Sequence, residues 1–329
     1  MNAVTTTEAA ALTVIEPGHD RSKFLGGSDI AAVLGLSPWK TRVDLWRDKT
    51  TPRVEQTPTS KPVFRRGLRW ESVVAEMLVE SLEAQGHKVE IVATNKRYQD
   101  PEHSFMASEI DFEIRLDGAD EITNVELKTV HPFKMREWGE SGTDELPTHY
   151  TAQVMWGLGL TQRANGMLAA LFGADELRTY PVTGDHETIT AMRAHGLAFW
   201  NDHVLAGVPP MPETLGDLSK LFATDSDAPA LLADDDLASK VLRLRAINTE
   251  VKAREAEAEA LEFDIKRAMR DCTEIVMPNG KKAVEWKQKS GAWLDETALK
   301  EAHPKLAKEF TRKWEKRVFT LKPFDTKGI

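Results

Sequence analysis

The sequence predicts a mixed α/β domain followed by a separate helical arm. Three observations predict it. Between Lys88 and Val182 strand-length runs alternate apolar and polar residues, helical periodicity brackets those runs, and beyond a polar break near residue 215 the composition turns to Ala, Glu, Lys, Arg and Leu. A chain of 329 residues is also long enough for about two domains. The expected division is a tail over 1–23, a domain over 24–215, a linker over 216–230 and an arm over 231–329.

Residues 1–23 lack apolar periodicity and read as a tail. After Gly26-Gly27, capping residues Ser28 and Asp29 precede Ile30, Ala31, Val33 and Leu34, which starts a short helix that Gly35 ends. Ser37-Pro38-Trp39 is a turn, and Thr41 caps a second helix carrying Val43, Leu45 and Trp46. The run to Pro62 is polar loop. From Phe64 to about Gln85, Trp70, Val73, Val74, Met77 and Leu78 recur at amphipathic spacing until Gly86 stops the helix. Strands follow from Lys88 to Ala93, Ile110 to Leu116 and Ile122 to Val130, with Asp117-Gly118 turning between the last two. Next come a helix from Tyr150 to Leu160, strands from Gly166 to Phe172 and Leu177 to Val182, and a helix from Asp185 to Gly207.

In the arm, Leu237 to about Asp271 holds no Gly or Pro, which favours one long solvated helix or half of a coiled-coil hairpin. Asn279-Gly280 turns a β-hairpin between Ile275 to Met277 and Ala283 to Trp286. The end from Leu294 mixes helix and strand signals, and after Pro304 it carries eight Lys or Arg against three acids.

Composition excludes several classes. One cysteine, Cys272, makes no internal disulfide and no cysteine-based zinc or iron-sulfur site, which fits a reducing compartment. The first 20 residues hold no Lys or Arg, and no apolar run reaches the ~18 residues a membrane span needs, so a cytoplasmic protein without membrane association is expected. A net charge of −9 argues against a general nucleic-acid coat but permits one locally basic channel.

Alternation puts Ile110, Phe112, Ile114 and Leu116 on one face and Asp111 on the other; Val125, Leu127 and Thr129 face the core while Glu126 and Lys128 face away. The hairpin then sets Asp111 opposite Glu126 or Lys128, within about 5.5 Å between Cα atoms. Two acids and a lysine there can hold Mg²⁺ through carboxylate oxygens while the ammonium orients or activates a water. They equally fit a solvated hairpin face with a cross-strand ion pair. Glu71 lies at the margin of its helix's apolar stripe, where a carboxylate needs a metal, a lysine or an ion pair with Arg66. Gln153 shares the inward face of its helix with Tyr150 and Val154. Trp39 and Trp70 read as core. Lys23, Lys40, Arg42, Arg65, Arg66 and Arg69 either neutralise phosphates or are solvated surface.

Four ordered blocks, Leu25-Gly26-Gly27-Ser28-Asp29-Ile30, Arg66-Gly67 leading to Glu71, Asp111 with Glu126-Leu127-Lys128, and Tyr150 with Gln153, together resemble the YqaJ-like viral recombinases. These are relatives of the lambda exonuclease within the PD-(D/E)XK nucleases. The resemblance spans about Arg21 to Gly207, and the long helix, hairpin and basic tail are similar to the C-terminal region of phage-encoded members. It implies a restriction-endonuclease-like core whose metal ligands are Asp111, Glu126, the Leu127 carbonyl and the helical acid Glu71, with Lys128 as the catalytic lysine. Ser28 resembles the serine near the substrate phosphate, Arg21 the arginine that receives a 5′-phosphate, and Gln153 with Tyr150 the helix residues supporting the site and nearby DNA; Arg66 belongs to the same DNA-binding set. One departure is local: Glu109 shares Asp111's face and competes for the ligand role. The resemblance further implies a Mg²⁺-dependent deoxyribonuclease, with Mn²⁺ as substitute, that degrades double-stranded DNA ends 5′ to 3′ for recombination by single-strand annealing. Its partners would be an annealing protein and further copies of itself, in a host cytoplasm if phage-encoded. The competing readings are an endonuclease of the same superfamily and a non-catalytic DNA-end-binding protein.

Overall fold

The computed structural model describes residues 13–15, 20–51, 60–224, 229–313 and 317–322, with side chains outside 13–15 and 60–68. A six-stranded mixed sheet in the order β1 to β6 forms the first unit. Its elements in chain order are β1 (Thr13–Ile15), α1 (Gly27–Val33), α2 (Arg42–Thr50), α3 (Ser60–Ala84), β2 (Val89–Gln99), β3 (Ala107–Leu116) and β4 (Thr123–Val130). They continue with α4 (Thr148–Thr161), β5 (Asn165–Phe172), β6 (Glu176–Thr183), α5 (His186–Phe199) and α6 (Leu215–Leu221). Neighbours are antiparallel except β4 and β5, which run parallel because α4 carries the chain back across the sheet.

Both faces of the sheet are covered, which corrects the expectation of a charged outer face. Val74, Leu78 and Leu82, one α3 stripe at i, i+4 and i+8, bury against Phe112, Ile114, Val125, Leu127, Ala169 and Leu171. α4 packs on the opposite face: Trp156 is buried and donates from Nε1 to the Ala107 carbonyl at 2.9 Å. Its approach depends on Gly157, where a Cβ would stand 2.9 Å from Ile110 Cδ1. At the far end Asn124 donates to Thr161 Oγ1 at 2.9 Å, and Arg163 pairs with the fully buried Glu113 at 3.1 Å.

Strict alternation fails at one point in β3. Ile110 faces α4 beside Gly157, whereas Phe112 and Ile114 face α3, so the strand changes its buried side at Asp111. Across the ladder Thr94 pairs with Phe112 and Lys96 with Ile110, and Asn95 between them adopts φ 49°, a left-handed conformation that Asn tolerates. With this irregularity β2 runs on to Gln99 rather than stopping at Ala93, and β3 starts at Ala107 rather than Ile110. Asp117 and Gly118 both take positive φ in the turn before β4.

Two boundaries also differ from expectation. Within the stretch read as a tail, Thr13–Ile15 pairs with β2 as an edge strand and Arg21–Lys23 forms a 3₁₀ turn capped by Asp20. The stretch read as a linker opens with α6, whose fully buried Asp217 accepts from the Thr41 hydroxyl at 2.7 Å and from the Glu213 and Thr214 amides at 3.1 Å. Both depend on distant partners that local periodicity does not encode. The helix predicted to reach Gly207 leaves α-geometry after Phe199 and passes through a wider π-helical turn over Trp200–Leu205.

The second unit begins at Phe222. It holds α7 (Asp235–Met269), β7 (Glu274–Val276), β8 (Lys282–Glu285), α8 (Glu296–Ala302) and α9 (Pro304–Phe310). α7 is one long helix, capped by Asp234 accepting from the Leu237 amide at 2.8 Å. It is laced by pairs such as Lys240 to Asp236 at 2.6 Å. β7 and β8 form the expected hairpin, and Lys266 Nζ lies 5.7 Å from the centre of the Trp286 ring. Among the described residues no helix is long and apolar enough to cross a membrane.

Candidate functional site

Three charged side chains meet between the sheet and α4. The ladder pairs Phe112 with Val125 and Glu113 with Asn124, so its next step sets Asp111 opposite Glu126, one of the two registers the hairpin allowed. Asp111 Oδ2 accepts from the Leu127 amide at 2.9 Å. Glu126, only 7% exposed, accepts on Oε1 from both Lys128 Nζ and Gln153 Nε2. Gln153 and Tyr150 lie on α4 one turn apart, and the Lys128 ammonium stands 5.8 Å from the Tyr150 ring centre. The charged side of the hairpin therefore lies against a helix, with Glu126 buried and Asp111 and Lys128 half-buried.

Burial sets the electrostatics. It pushes the Glu126 carboxyl up to about 8, with the neighbouring Asp111 carboxylate adding to the shift. Asp111 is raised by the same desolvation, against the pull of Lys128 and the Leu127 amide. For Lys128 burial works against the charge, yet Glu126 and Asp111 overcome it and hold the ammonium above the usual lysine range. Asp111 and Glu126 lie within hydrogen-bond reach of each other, so two acids and one lysine leave the fully ionised cluster with one excess negative charge. Oxygen donors around an excess negative charge suit a hard divalent cation, which can replace the shared proton.

Glu71 sits half-buried on α3, raised by burial and then by Asp111 and Glu109. Among the described residues, however, no three His, Cys, Asp or Glu side chains converge as a ready cage. Mg²⁺ ordinarily takes one or two carboxylates, with water and substrate oxygens completing its shell.

The start of α1 abuts this cluster. A Cβ at Gly27 would stand 3.1 Å from Gln153 Cγ, so glycine there lets the chain pass against α4. The N-cap position is Gly26, whose amide donates to Asp29 Oδ2 at 3.2 Å, so Asp29 serves the cap from the first turn and Ser28 does not. Ser28 is exposed in its first turn, and its Oγ accepts from Arg21 Nη2 at 2.6 Å. Asp29 is instead buried and pairs with Lys49 at 2.7 Å; burial opposes its charge, but Lys49 and Lys40 keep its carboxyl below the usual range. Lys49 also donates to the Arg21 carbonyl at 2.7 Å, which anchors the turn bearing Arg21. Sequence reasoning missed this buried pair, whose two members lie on separate helices.

Other expectations need correction. Trp39 is 71% exposed, because it sits in the loop between α1 and α2 rather than on a helix face. It meets His149 edge-on at 4.8 Å, beside Tyr150. Trp70 does pack against the α3 core cluster. Lys40 pairs with Asp48 at 2.7 Å and Arg42 with Glu213, so neither is a free surface cation. Glu109 pairs with Arg21 and Arg97 at 4.0 and 3.9 Å instead of joining Asp111. Arg65 and Arg66 fall in α3 outside the residues whose side chains are described.

The order and placement of these blocks match a known domain. The profile of the YqaJ-like viral recombinase domain aligns with residues 18–164. That segment is similar to the YqaJ-like viral recombinase domain. It contains Arg21, Ser28, Glu71, Asp111, Glu126, Lys128, Tyr150 and Gln153. The protein YqaJ of Bacillus subtilis (strain 168), itself uncharacterised, is 26% identical over 309 residues, covering 92% of each chain, so the similarity extends beyond the YqaJ-like domain into the arm. Among solved structures, the alkaline exonuclease LHK-Exo of Laribacter hongkongensis aligns with 57% of this chain and 91% of its own at 13% identity and TM-score 0.41. Its complex with dAMP aligns at 14% identity and TM-score 0.42.

Proposed function

We propose that this protein is a divalent-cation-dependent deoxyribonuclease that hydrolyses phosphodiesters at double-stranded DNA ends, working 5′ to 3′ in recombination by strand annealing. The observation that carries the reading is the carboxylate pair, half-buried Asp111 and buried Glu126, with Lys128 as its one cation among the described side chains. An excess buried negative charge is unfavourable for a purely structural cluster and suits a cation site. Asp111, Glu126 and the Leu127 carbonyl would hold Mg²⁺ or Mn²⁺, with Glu71 reaching in from α3. The ion supplies a lowered water pKa and charge neutralisation at the phosphate. Lys128 donates to Glu126 and orients the attacking water, while Gln153 fixes the same carboxylate from the helix side. Arg21, hydrogen-bonded to the exposed Ser28, would receive the terminal phosphate with it, and polarity from the 5′ end would follow from that contact. The exposed Trp39 offers a ring for a base to stack on, and Arg66 and Tyr150 would flank the DNA. An annealing protein and further copies of the chain are the partners this role calls for.

With Mg²⁺, linear 5′-phosphorylated duplex is expected to disappear, releasing a 5′-terminal label first, while closed circles survive. Circles cut at an equal rate would make it an endonuclease, and an inert wild type would leave a DNA-end-binding module. Trp39→Ala is expected to weaken duplex-end binding by about tenfold without loss of thermal stability, because a stacked base is worth about 1–3 kcal/mol and the ring buries little in the fold. Titration of labelled duplex in Ca²⁺ measures it; an unchanged affinity removes Trp39 from the interface.

A further inference from the structure

Beside the carboxylate pair lies a second charged cluster that phosphodiester hydrolysis does not use. Arg97 on β2 stands opposite Glu109 on β3. Its side chain is 3% exposed, with the guanidinium over the Phe24 ring at 3.8 Å from the centroid. A buried guanidinium normally finds acceptors for its five N–H groups. Here Nε and Nη1 are buried without a hydrogen-bond partner. Arg21, held by Ser28, lies 5.9 Å from the same ring. The Glu109 carboxylate, 43% exposed, sits 3.9 Å from Arg97 Nη1 and 4.0 Å from Arg21 Nη1, too far to hydrogen-bond either. Two guanidiniums thus face one carboxylate that hydrogen-bonds to neither.

We propose that Arg97 joins Arg21 and Ser28 in binding the 5′-terminal phosphate of DNA, and that Glu109 occupies this pocket in the free protein until the phosphate displaces it. The ligand's identity rests on the nuclease reading above. A carboxylate brings one charge and two oxygens on a stem tied to β3. A phosphomonoester brings nearly two charges and three strong acceptor oxygens, enough to bridge both guanidiniums. An uncharged hydroxyl end has nothing with which to displace Glu109. Arg97 is buried and the Arg21 guanidinium is held by Ser28, whereas Glu109 is 43% exposed and hydrogen-bonds to neither arginine, so Glu109 is the member free to swing out. Glu109 therefore makes the pocket selective for phosphorylated ends, and removing its charge strengthens phosphate binding.

The test measures binding of 5′-phosphorylated and 5′-hydroxyl hairpin duplexes to the full chain by fluorescence anisotropy in EDTA, where no cutting occurs. Wild type is expected to prefer the phosphorylated end. Arg97→Gln should reduce that preference by about tenfold or more, the worth of one charge-assisted hydrogen bond. Glu109→Gln should tighten binding of the phosphorylated end severalfold, and it carries the test alone if Arg97→Gln does not fold. A full preference retained in folded Arg97→Gln, or an unchanged affinity in Glu109→Gln, overturns the proposal. If wild type degrades linear duplex with Mg²⁺ yet binds both ends equally, the pocket falls and the nuclease reading stands. If it discriminates the ends but never cuts, the nuclease reading falls and the pocket stands.

Discussion

Glu126→Gln is expected to slow hydrolysis of linear duplex DNA by about 10²-fold or more while leaving the fold intact, the scale of loss when one preorganised electrostatic group is removed. The amide keeps an oxygen where Lys128 and Gln153 donate, so packing under α4 survives. What disappears is a negative charge, and with it the attraction for a cation. Lys128→Ala should cost a similar factor by a different route, since it removes the donor that orients both Glu126 and the water and leaves Asp111 and Glu126 repelling each other. Because the three groups act as one unit, Glu126→Gln combined with Lys128→Ala should be little worse than either alone. Single-turnover digestion of an end-labelled duplex at saturating protein reads this directly. Additive losses, or a Glu126→Gln protein within a few-fold of wild type, would remove the carboxylate pair from the chemistry.

The hairpin was the most legible part of the site, because period-two alternation and Asp117-Gly118 together restrict its register to two choices. The stripe of Val74, Leu78 and Leu82 on α3 was legible for the same reason: one element's periodicity names one buried face. Alternation separates two faces of a strand but does not say which is wet, so a charged face sheltered by α4 looked like a solvated one. Nor does it announce a break, and at Asp111 the strand changes its buried side opposite the left-handed Asn95. Asp29 with Lys49, Asp217 with Thr41, and Arg97 with Glu109 were hidden because each pair joins elements far apart in sequence. The Arg97 pairing depends in addition on a register shift between Ile91 and Ala93. Trp39 was misplaced because apolar helices flank it, although the turn at Pro38 takes it off both.

Without added metal, stability should fall as pH rises from 5 to 8, and Glu126→Gln should abolish most of that fall. The unfolded carboxyl loses its proton near pH 4.5, whereas burial and Asp111 keep the folded one protonated to about 8. Between these values the unfolded state binds fewer protons than the folded one, so each step up in pH favours unfolding. The contribution is fully present below pH 4.5 and gone above 8, and is worth on the order of a few kcal/mol. His149 works in the opposite sense near pH 6.5, since burial lowers its pKa, but it is common to both proteins and cancels in their difference. At pH 8 the metal-free Gln variant should therefore melt several degrees above wild type, having traded a buried charge for a neutral amide. Mn²⁺ should reverse the order, raising the wild-type Tm by mass action and the variant's little, and more strongly at pH 8 than at pH 6 because protons compete for the same oxygens. Differential scanning fluorimetry of both proteins across pH, with EDTA or Mn²⁺, separates the two effects. Parallel melting curves at every pH would mean that Glu126 is ionised in the free protein, and that its excess charge is not what draws the cation.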